Sequence, residues 1–298
     1  PLCAEGRPIG LLEADDHTGA FTDRSALATA SLVAAQAAEA VQRFRLRSAA
    51  AQARELRREA QLAQEASSAL LPARSAVPGL EALGWTRPAF AGGSDSFDYW
   101  PLADGRLALF LGDASGHGLA SGLIISEVRA LLHVLCDVRP QPEWLLERIN
   151  ARLQQDREPR RFVTAFFGCL SPEGELRWCS AGQGPLYWRP DAEGEYLPLP
   201  SQGPPLGVDP AVTLASGPRL QLSPGGRVAV LSDGILDADN GTGRLLGPQR
   251  LKTIFDNTGE LPLAKVVELL REVVTTWQGG EEAADDQSAL IAGVSLPC

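Results

Sequence analysis

The feature that most constrains the fold is a long segment, residues 24–71, that contains neither glycine nor proline. It consists mainly of alanine, leucine, glutamine, glutamate and arginine, which are strong helix formers. Thr22-Asp23 before it provides a helix N-cap, and Leu71-Pro72 ends it because proline disfavours helical backbone in the preceding residue. The sequence therefore predicts one long linker helix over residues 25–72, with a different kind of structure on either side.

Apolar residues in this helix recur with the alternating spacing of three and four that is typical of a coiled coil. A first register consists of Leu27, Ala30, Ala34, Ala37, Val41 and Phe44, and a second of Leu56, Ala60, Ala63, Ser67 and Leu70. Two interpretations stay open: one long surface helix lying on its own domain, or a parallel dimer stalk that transmits a signal. Because many of the repeating residues are alanine, such a stalk would be weak and easy to switch.

From Val77 onward the pattern changes to short apolar runs separated by turns rich in Gly, Pro and Asp. Strands are predicted over 106–112, 162–170, 176–181, 228–231 and 288–294, and helices over 118–138, 142–153 and 261–277. Consecutive strands are often joined by hairpin-sized turns. We therefore predict an α+β fold in which antiparallel sheets are covered by helices.

Composition and charge restrict the possible functions. The 298 residues are 44% hydrophobic and 21% charged, enough to bury a core. The formal net charge of -10 argues against a nucleic-acid partner, and it means that metal ions must attract a phosphorylated substrate locally. Scattered cysteines without a CxxC pair, no visible signal peptide and no stretch of transmembrane length indicate a cytoplasmic protein that does not enter a membrane. Since the chain starts at Pro1 and lacks methionine, we expect a fragment.

Four short motifs carry acidic side chains where predicted strands or turns end. They are Gly93-Ser94-Asp95-Ser96-Phe97-Asp98, Asp113-Ala114-Ser115-Gly116-His117-Gly118, Leu231-Ser232-Asp233-Gly234 and Asp285-Asp286-Gln287-Ser288. Carboxylates gathered from separate strand ends suit hard divalent cations such as Mg²⁺ or Mn²⁺, which prefer oxygen ligands. Two metal ions held by carboxylates activate a bound water molecule for attack on a phosphate.

Each motif taken alone also has a simple structural explanation. Asp113 could cap the helix that follows it, and Asp233-Gly234 is typical of a turn after a strand. Asp285-Asp286 could belong to a solvated acidic loop, although two adjacent like charges before an apolar strand are costly unless cations offset them. The turn geometry decides whether Asp95 or Asp98 faces a site.

In combination and in this order, the motifs resemble those of the PPM-type metal-dependent protein serine/threonine phosphatases, in their bacterial SpoIIE/RsbU branch. The resemblance runs from about residue 66 to residue 294 and includes the segments 67–72, 162–168 and 205–208. It implies a β-sandwich of two mainly antiparallel sheets flanked by helices, over residues 73–298. It also implies one-step hydrolysis of phosphoserine or phosphothreonine.

The resemblance further implies which residues hold two Mn²⁺ or Mg²⁺ ions. Asp113 would bridge both ions, and the Ala114 carbonyl would complete one of them. Asp233 and Asp285 would hold the second ion, and Asp95 would act mainly through metal-bound water. The four aspartates are accordingly the predicted catalytic residues.

The chain departs from the family pattern without losing a metal ligand. Ser94 stands where the family has a second glycine, and Gln183 stands where it has histidine in an Ala-Gly-His-Asn/Gln-Pro segment. From the sequence, Gln183 is a turn residue without an assignable chemical role. His117 could protonate a leaving group or hydrogen-bond the backbone, but the family often carries lysine there, which argues against an essential acid.

Residues 1–24 resemble the C-terminal remnant of a GAF sensor domain, since residues 7–13 look like its last strand. In this phosphatase branch the substrate is typically a phosphorylated anti-anti-sigma (STAS-type) protein, and activity depends on how the linker dimerises. We therefore expect a homodimer formed through residues 25–72. Two alternatives stay open: a catalytically silent partner-binding module of the same fold, and a phosphoesterase acting on small molecules.

Overall fold

The computed structural model describes residues 2–4, 7–13, 24–69, 77–89, 92–155, 161–259, 261–280 and 283–296. The chain forms two compact units, Pro1–Glu59 and Ala60–Cys298. In the first unit, strands β1 (Leu2–Ala4) and β2 (Arg7–Gly10) pair antiparallel. The GAF-like remnant and the domain boundaries after residues 24 and 72 stay predictions.

Helix α1 (Arg24–Ala69) confirms the predicted long helix. The proposed N-cap at residues 22–23 and the helix end at residues 71–72 lie outside the described residues. Two members of the first apolar register, Leu27 and Phe44, are 54% and 71% exposed. The single chain thus leaves apolar side chains of α1 in contact with solvent, and the dimeric stalk stays a prediction.

Two five-stranded antiparallel sheets form the centre of the second unit. The first sheet has the strand order β10-β7-β6-β5-β4 and contains β4 (Asp95–Pro101), β5 (Leu107–Ala114), β6 (Val163–Leu170), β7 (Glu175–Ala181) and β10 (Leu220–Gln221). The second has the order β3-β12-β11-β8-β9 and contains β3 (Leu80–Arg87), β8 (Leu186–Arg189), β9 (Leu197–Leu199), β11 (Arg227–Leu231) and β12 (Gln287–Val294).

Alternation of side chains along each strand stacks the two sheets into a sandwich. Leu109 and Leu111 of β5 pack in one interior cluster with Val230 and Leu290 of the second sheet. Phe110, between the two leucines, faces the opposite way and belongs to a separate cluster with helix residues. This arrangement confirms the predicted β-sandwich of two antiparallel sheets with helices outside.

Helices cover the outer face of each sheet. The first sheet packs against α2 (Leu119–Cys136) and α3 (Pro142–Leu153). The second sheet packs against α4 (Asp233–Leu236), α5 (Gly247–Asp256) and α6 (Leu263–Trp277). Helix α6 begins two residues later than predicted because Pro262 occupies its N-cap position.

Helix α2 corrects one prediction. By length and composition it is long and apolar enough to cross a membrane, which the sequence analysis did not expect of any stretch in the chain. Val128 and Leu132 of α2 are fully buried in the cluster on the outer face of the first sheet. These two side chains therefore serve the packing of the helix against the sheet, while Leu119, Leu123 and Val134 of α2 are exposed.

Candidate active site

Two of the predicted aspartates face each other across the first sheet. Asp95 opens β4 and Asp113 lies near the end of β5, directly opposite in antiparallel register. Both continue the row of side chains that points between the sheets, since Phe97 and Leu111, two residues along each strand, belong to the interior core. Like charges directly opposite each other on neighbouring strands are destabilising. A positive charge in the space beside the pair would offset this repulsion.

The second sheet supplies the other two predicted aspartates. Strand β11 ends at Leu231, Ser232 is the N-cap residue, and Asp233 is the first residue of α4. Asp285 precedes the neighbouring strand β12. The Ser232 N–H donates to the Ser288 carbonyl (2.8 Å), and the Ser288 N–H donates to Ser232 Oγ (2.8 Å), so the two strand ends are tied together.

Gly234 allows the segment with Asp285 to approach α4. A Cβ atom at residue 234 would lie 2.1 Å from the carbonyl oxygen of Asp286, which no side chain tolerates. The Asp233-Gly234 pair is therefore the start of a short helix, and glycine is needed there because another piece of backbone lies against it. This close approach brings Asp285 beside Asp233.

The pKa values of these carboxyl groups show that the four side chains interact. Burial raises the pKa of Asp113 to about 7, and the charges of Asp233 and Asp285 add to the rise. Burial also raises the pKa of Asp95 well above its usual range, with a further contribution from Asp113. The pKa of Asp285 is raised by burial, although the N–H of Asp286 donates to its carboxylate. The charged forms of Asp95, Asp113 and Asp285 are therefore disfavoured unless a cation is close.

Asp286, the neighbour of Asp285, has a different role. Its buried carboxylate accepts hydrogen bonds from the N–H of Ala89 (2.7 Å), the hydroxyl of Ser94 (2.9 Å) and the N–H groups of Ser94 and Asp95. The cost expected for two adjacent negative charges is thus offset at Asp286 by hydrogen-bond donors. Ser94, which replaces a glycine of the family pattern, contributes its hydroxyl to this arrangement.

Asp98 lies on the opposite face of β4 from Asp95. Its carboxylate is only 3% exposed, accepts a hydrogen bond from Arg129 Nε and lies 2.8 Å from His133 Nε2, both on α2. The question left open by the sequence is therefore answered: Asp95 faces the other carboxylates, and Asp98 anchors α2 to the first sheet.

Asp98→Ala is expected to lower the free energy of unfolding by about 3 kcal/mol, because it removes a buried carboxylate that pairs with Arg129 and His133. Urea denaturation followed by circular dichroism measures this change. Turnover per folded molecule is expected to match the wild type, since Asp98 faces away from the carboxylates. A variant of wild-type stability that had lost turnover would contradict this assignment.

The side chains present suit hard divalent cations in kind, because all of them offer oxygen. Asp95 Oδ2 is buried and has no hydrogen-bond partner, as expected of an atom that faces a cation site. Across the residues that the structure describes, no three His, Cys, Asp or Glu side chains are drawn together into a closed metal-binding set. The separation of the carboxylates agrees with their mutual repulsion, which contributes to the raised pKa values of Asp95 and Asp113. Ala114 ends β5 beside Asp113, and His117 is exposed in the bend that follows.

The sequence of this chain matches a known family. The family described as Stage II sporulation protein E (SpoIIE) matches residues 103–295, about two thirds of the chain. The chain belongs to the SpoIIE family. The matched interval contains Asp113, Asp233 and Asp285, and it begins later than the predicted start near residue 66, so Asp95 precedes it. Membership of the SpoIIE family confirms the family that the motifs resemble.

Individual relatives of this SpoIIE-family chain agree in fold. Phosphoserine phosphatase RsbP of Bacillus subtilis is 23% identical over 208 residues, which cover 67% of this chain and 49% of RsbP. The SiaA-PP2C domain of Pseudomonas aeruginosa superimposes with a TM-score of 0.73 at 19% identity, over 83% of this chain and 100% of that domain. RsbX in complex with magnesium has a TM-score of 0.56 at 15% identity, over 75% of this chain and 99% of RsbX. The chain spans about half the length of RsbP.

Sequence reasoning missed the polar residues that support the SpoIIE-family aspartates. They are Thr164, Gln183, Ser232, Asp286 and Ser288, and hydrogen bonds from Ser288 and Ser232 lower the pKa of Asp95 against the effect of burial. A signal was present for the two serines. Ser232 lies two residues after Val230 and Ser288 two residues before Leu290, so both serines continue rows of side chains that point into the core. A hydroxyl without a hydrogen-bond partner would be costly there.

Proposed function

We propose that this chain hydrolyses phosphoserine or phosphothreonine in a protein with the help of two divalent cations held at one end of the sandwich. The observation that carries the proposal is the facing pair Asp95 and Asp113, beside Asp233 and Asp285, in a chain of the SpoIIE family. The magnesium in the structurally similar RsbX supports a cation of this kind.

In this proposal Asp113 would help to hold both of two Mn²⁺ or Mg²⁺ ions, the Ala114 carbonyl would help to hold one of them, and Asp233 and Asp285 would hold the other. When bound, such ions lower the pKa of a water molecule and offset the charge of the phosphoryl oxygens. The chain contributes the placement of the carboxylates. Asp113 is held against its neighbours where its charged form is disfavoured, and Asp95 keeps one buried oxygen available at the same point.

The substrate we propose is a phosphorylated STAS-type anti-anti-sigma protein in the cytoplasm. The description of RsbP as a phosphoserine phosphatase supports a phosphoprotein over a small molecule. We also propose that α1 forms a homodimer that regulates activity, which the exposed side chains of Leu27 and Phe44 support. A catalytically silent binding module is disfavoured because none of the four aspartates has been replaced.

The purified chain is expected to release phosphate from a phosphoserine peptide in the presence of Mn²⁺ or Mg²⁺ and to lose this activity in excess EDTA. Colorimetric phosphate detection measures the rate, and a sugar phosphate at the same concentration serves as the comparison substrate. Faster turnover of the sugar phosphate would favour a small-molecule phosphoesterase. Calorimetric Mn²⁺ binding without any turnover would favour the silent binding module.

A further inference from the structure

Gln183 joins the two sheets next to the carboxylates. It follows β7, is 2% exposed, and its amide makes two hydrogen bonds. Gln183 Oε1 accepts from Thr164 Oγ1 (2.8 Å) on the first sheet, and Gln183 Nε2 donates to the Leu231 carbonyl (2.8 Å) on the second. A single buried amide therefore spans the gap between β6 and β11.

Each end of this bridge lies close to a predicted metal ligand. Thr164 is the direct register partner of Asp113 across β5 and β6. Leu231 precedes Asp233 by two residues, and its N–H donates to the Pro185 carbonyl (3.1 Å). Both backbone groups of Leu231 are thus held by the segment that contains Gln183.

The bridge joins the strand beside Asp113 to the strand that leads into Asp233. Loss of the Gln183 amide would leave the half-buried Thr164 hydroxyl and the buried Leu231 carbonyl without these hydrogen bonds, which is unfavourable. The bridge therefore holds the two sheets together next to these two carboxylates.

The chemistry of the amide also explains the departure from the family pattern. A neutral imidazole has one donor and one acceptor nitrogen, so a histidine could make the same two hydrogen bonds. Glutamine offers one donor and one acceptor as well, in a group that does not titrate. A histidine at residue 183 is therefore expected to form the same bridge.

We propose that Gln183 is a positioning residue that fixes the distance between Asp113 and Asp233 and thereby sets the affinity of the site for divalent cations. The proposal rests on the proposed function for the nature of the site. It assigns no contact between Gln183 and the substrate.

Calorimetric titration of the full chain with Mn²⁺, without substrate, tests this proposal. Gln183→Leu, which keeps the approximate volume and loses both hydrogen bonds, is expected to bind Mn²⁺ about tenfold or more weakly, the size of effect seen when groups that orient ligands are removed. Gln183→His is expected to restore binding to near the wild-type value. Thr164→Val, which removes only one half of the bridge, is expected to fall between them.

Gln202→Leu is the matched control. Gln202 accepts from the Ser180 N–H (3.0 Å) and donates to the Pro200 carbonyl (2.6 Å), so it binds backbone near Gln183 without joining β6 to β11. It is expected to lower the melting temperature without changing Mn²⁺ affinity. If Gln183→Leu does not fold, the Mn²⁺ affinities of Thr164→Val and Gln183→His are compared with that of wild type instead.

Unchanged Mn²⁺ affinity in Gln183→Leu would overturn the proposal. If that variant does not fold, unchanged affinity in Thr164→Val would do the same. A Gln183→His variant that binds Mn²⁺ as weakly as Gln183→Leu would also overturn it. Turnover of wild type with phosphopeptide separates the two claims. Wild type that binds Mn²⁺ but releases no phosphate refutes the proposed function and leaves the role of Gln183 standing. If wild type is active but the Gln183 variants bind Mn²⁺ as tightly as wild type, the role of Gln183 is refuted and the proposed function stands.

Discussion

Asp113→Asn is expected to reduce phosphoserine hydrolysis by roughly a thousandfold or more, because the residue assigned to both cations loses its charge. The fold is expected to persist without cations, since the substitution removes one of two like charges that face each other across β4 and β5. Single-turnover phosphate release at saturating Mn²⁺ measures the loss of rate.

Thermal unfolding of the same variant separates loss of cations from loss of fold. Wild type is expected to melt at a higher temperature as Mn²⁺ is added, because a ligand that binds only the native state stabilises it. Asp113→Asn is expected to show little such increase while its melting temperature without metal matches or exceeds that of wild type. Near-normal turnover in Asp113→Asn would refute the assignment of Asp113 as the bridging ligand.

The adjacent residues Asp285 and Asp286 are expected to give opposite results when each is changed to alanine. Asp286→Ala removes the acceptor for donors of Ala89, Ser94 and Asp95, so it is expected to lower the free energy of unfolding by about 3 kcal/mol. Asp285→Ala removes a carboxylate that repels Asp233 and Asp113. Its stability is expected to be unchanged and its turnover largely lost.

Urea denaturation and phosphate release, measured on both variants, check this contrast. Asp286→Asn is the conservative control, because its amide oxygen can still accept part of the hydrogen bonds and should restore part of the stability. A destabilised Asp285→Ala together with a stable, inactive Asp286→Ala would mean that the two aspartates have exchanged roles.

Long elements with a clear period could be predicted from the sequence, and short ones could not. Helix α3 begins and ends where its proline and apolar spacing indicated, and α2 deviates by only one or two residues at each end. Strand β10 has two residues, and its hydrogen bonds to β7 depend on a partner far away in sequence. The four-residue helix α4 likewise depends on Gly234 lying against residue 286. Local propensity carries little information about such elements.

Some residues of the candidate site could likewise be predicted from the sequence, and others could not. Acidic motifs at strand ends could be recognised one at a time, and alternation with Phe97 and Tyr99 contains the information that Asp95, not Asp98, faces inward. The contacts of Asp286 and Gln183 could not be predicted. Each depends on how one sheet is stacked on the other, and the sequence of a single strand does not encode that.

The place of β12 in the second sheet has a consequence for how the molecule is made. The strand lies between β3 and β11, so the first strand of the sandwich pairs along its length with the last, Leu80 opposite Val294 and Arg87 opposite Gln287. During synthesis β3 has no neighbour in its sheet until almost the whole sandwich has left the ribosome. We expect late, cooperative folding, as is usual when contacts join distant parts of a chain. Since Asp285 lies two residues before β12, the carboxylate site that we propose for catalysis is completed in the same step that completes the fold.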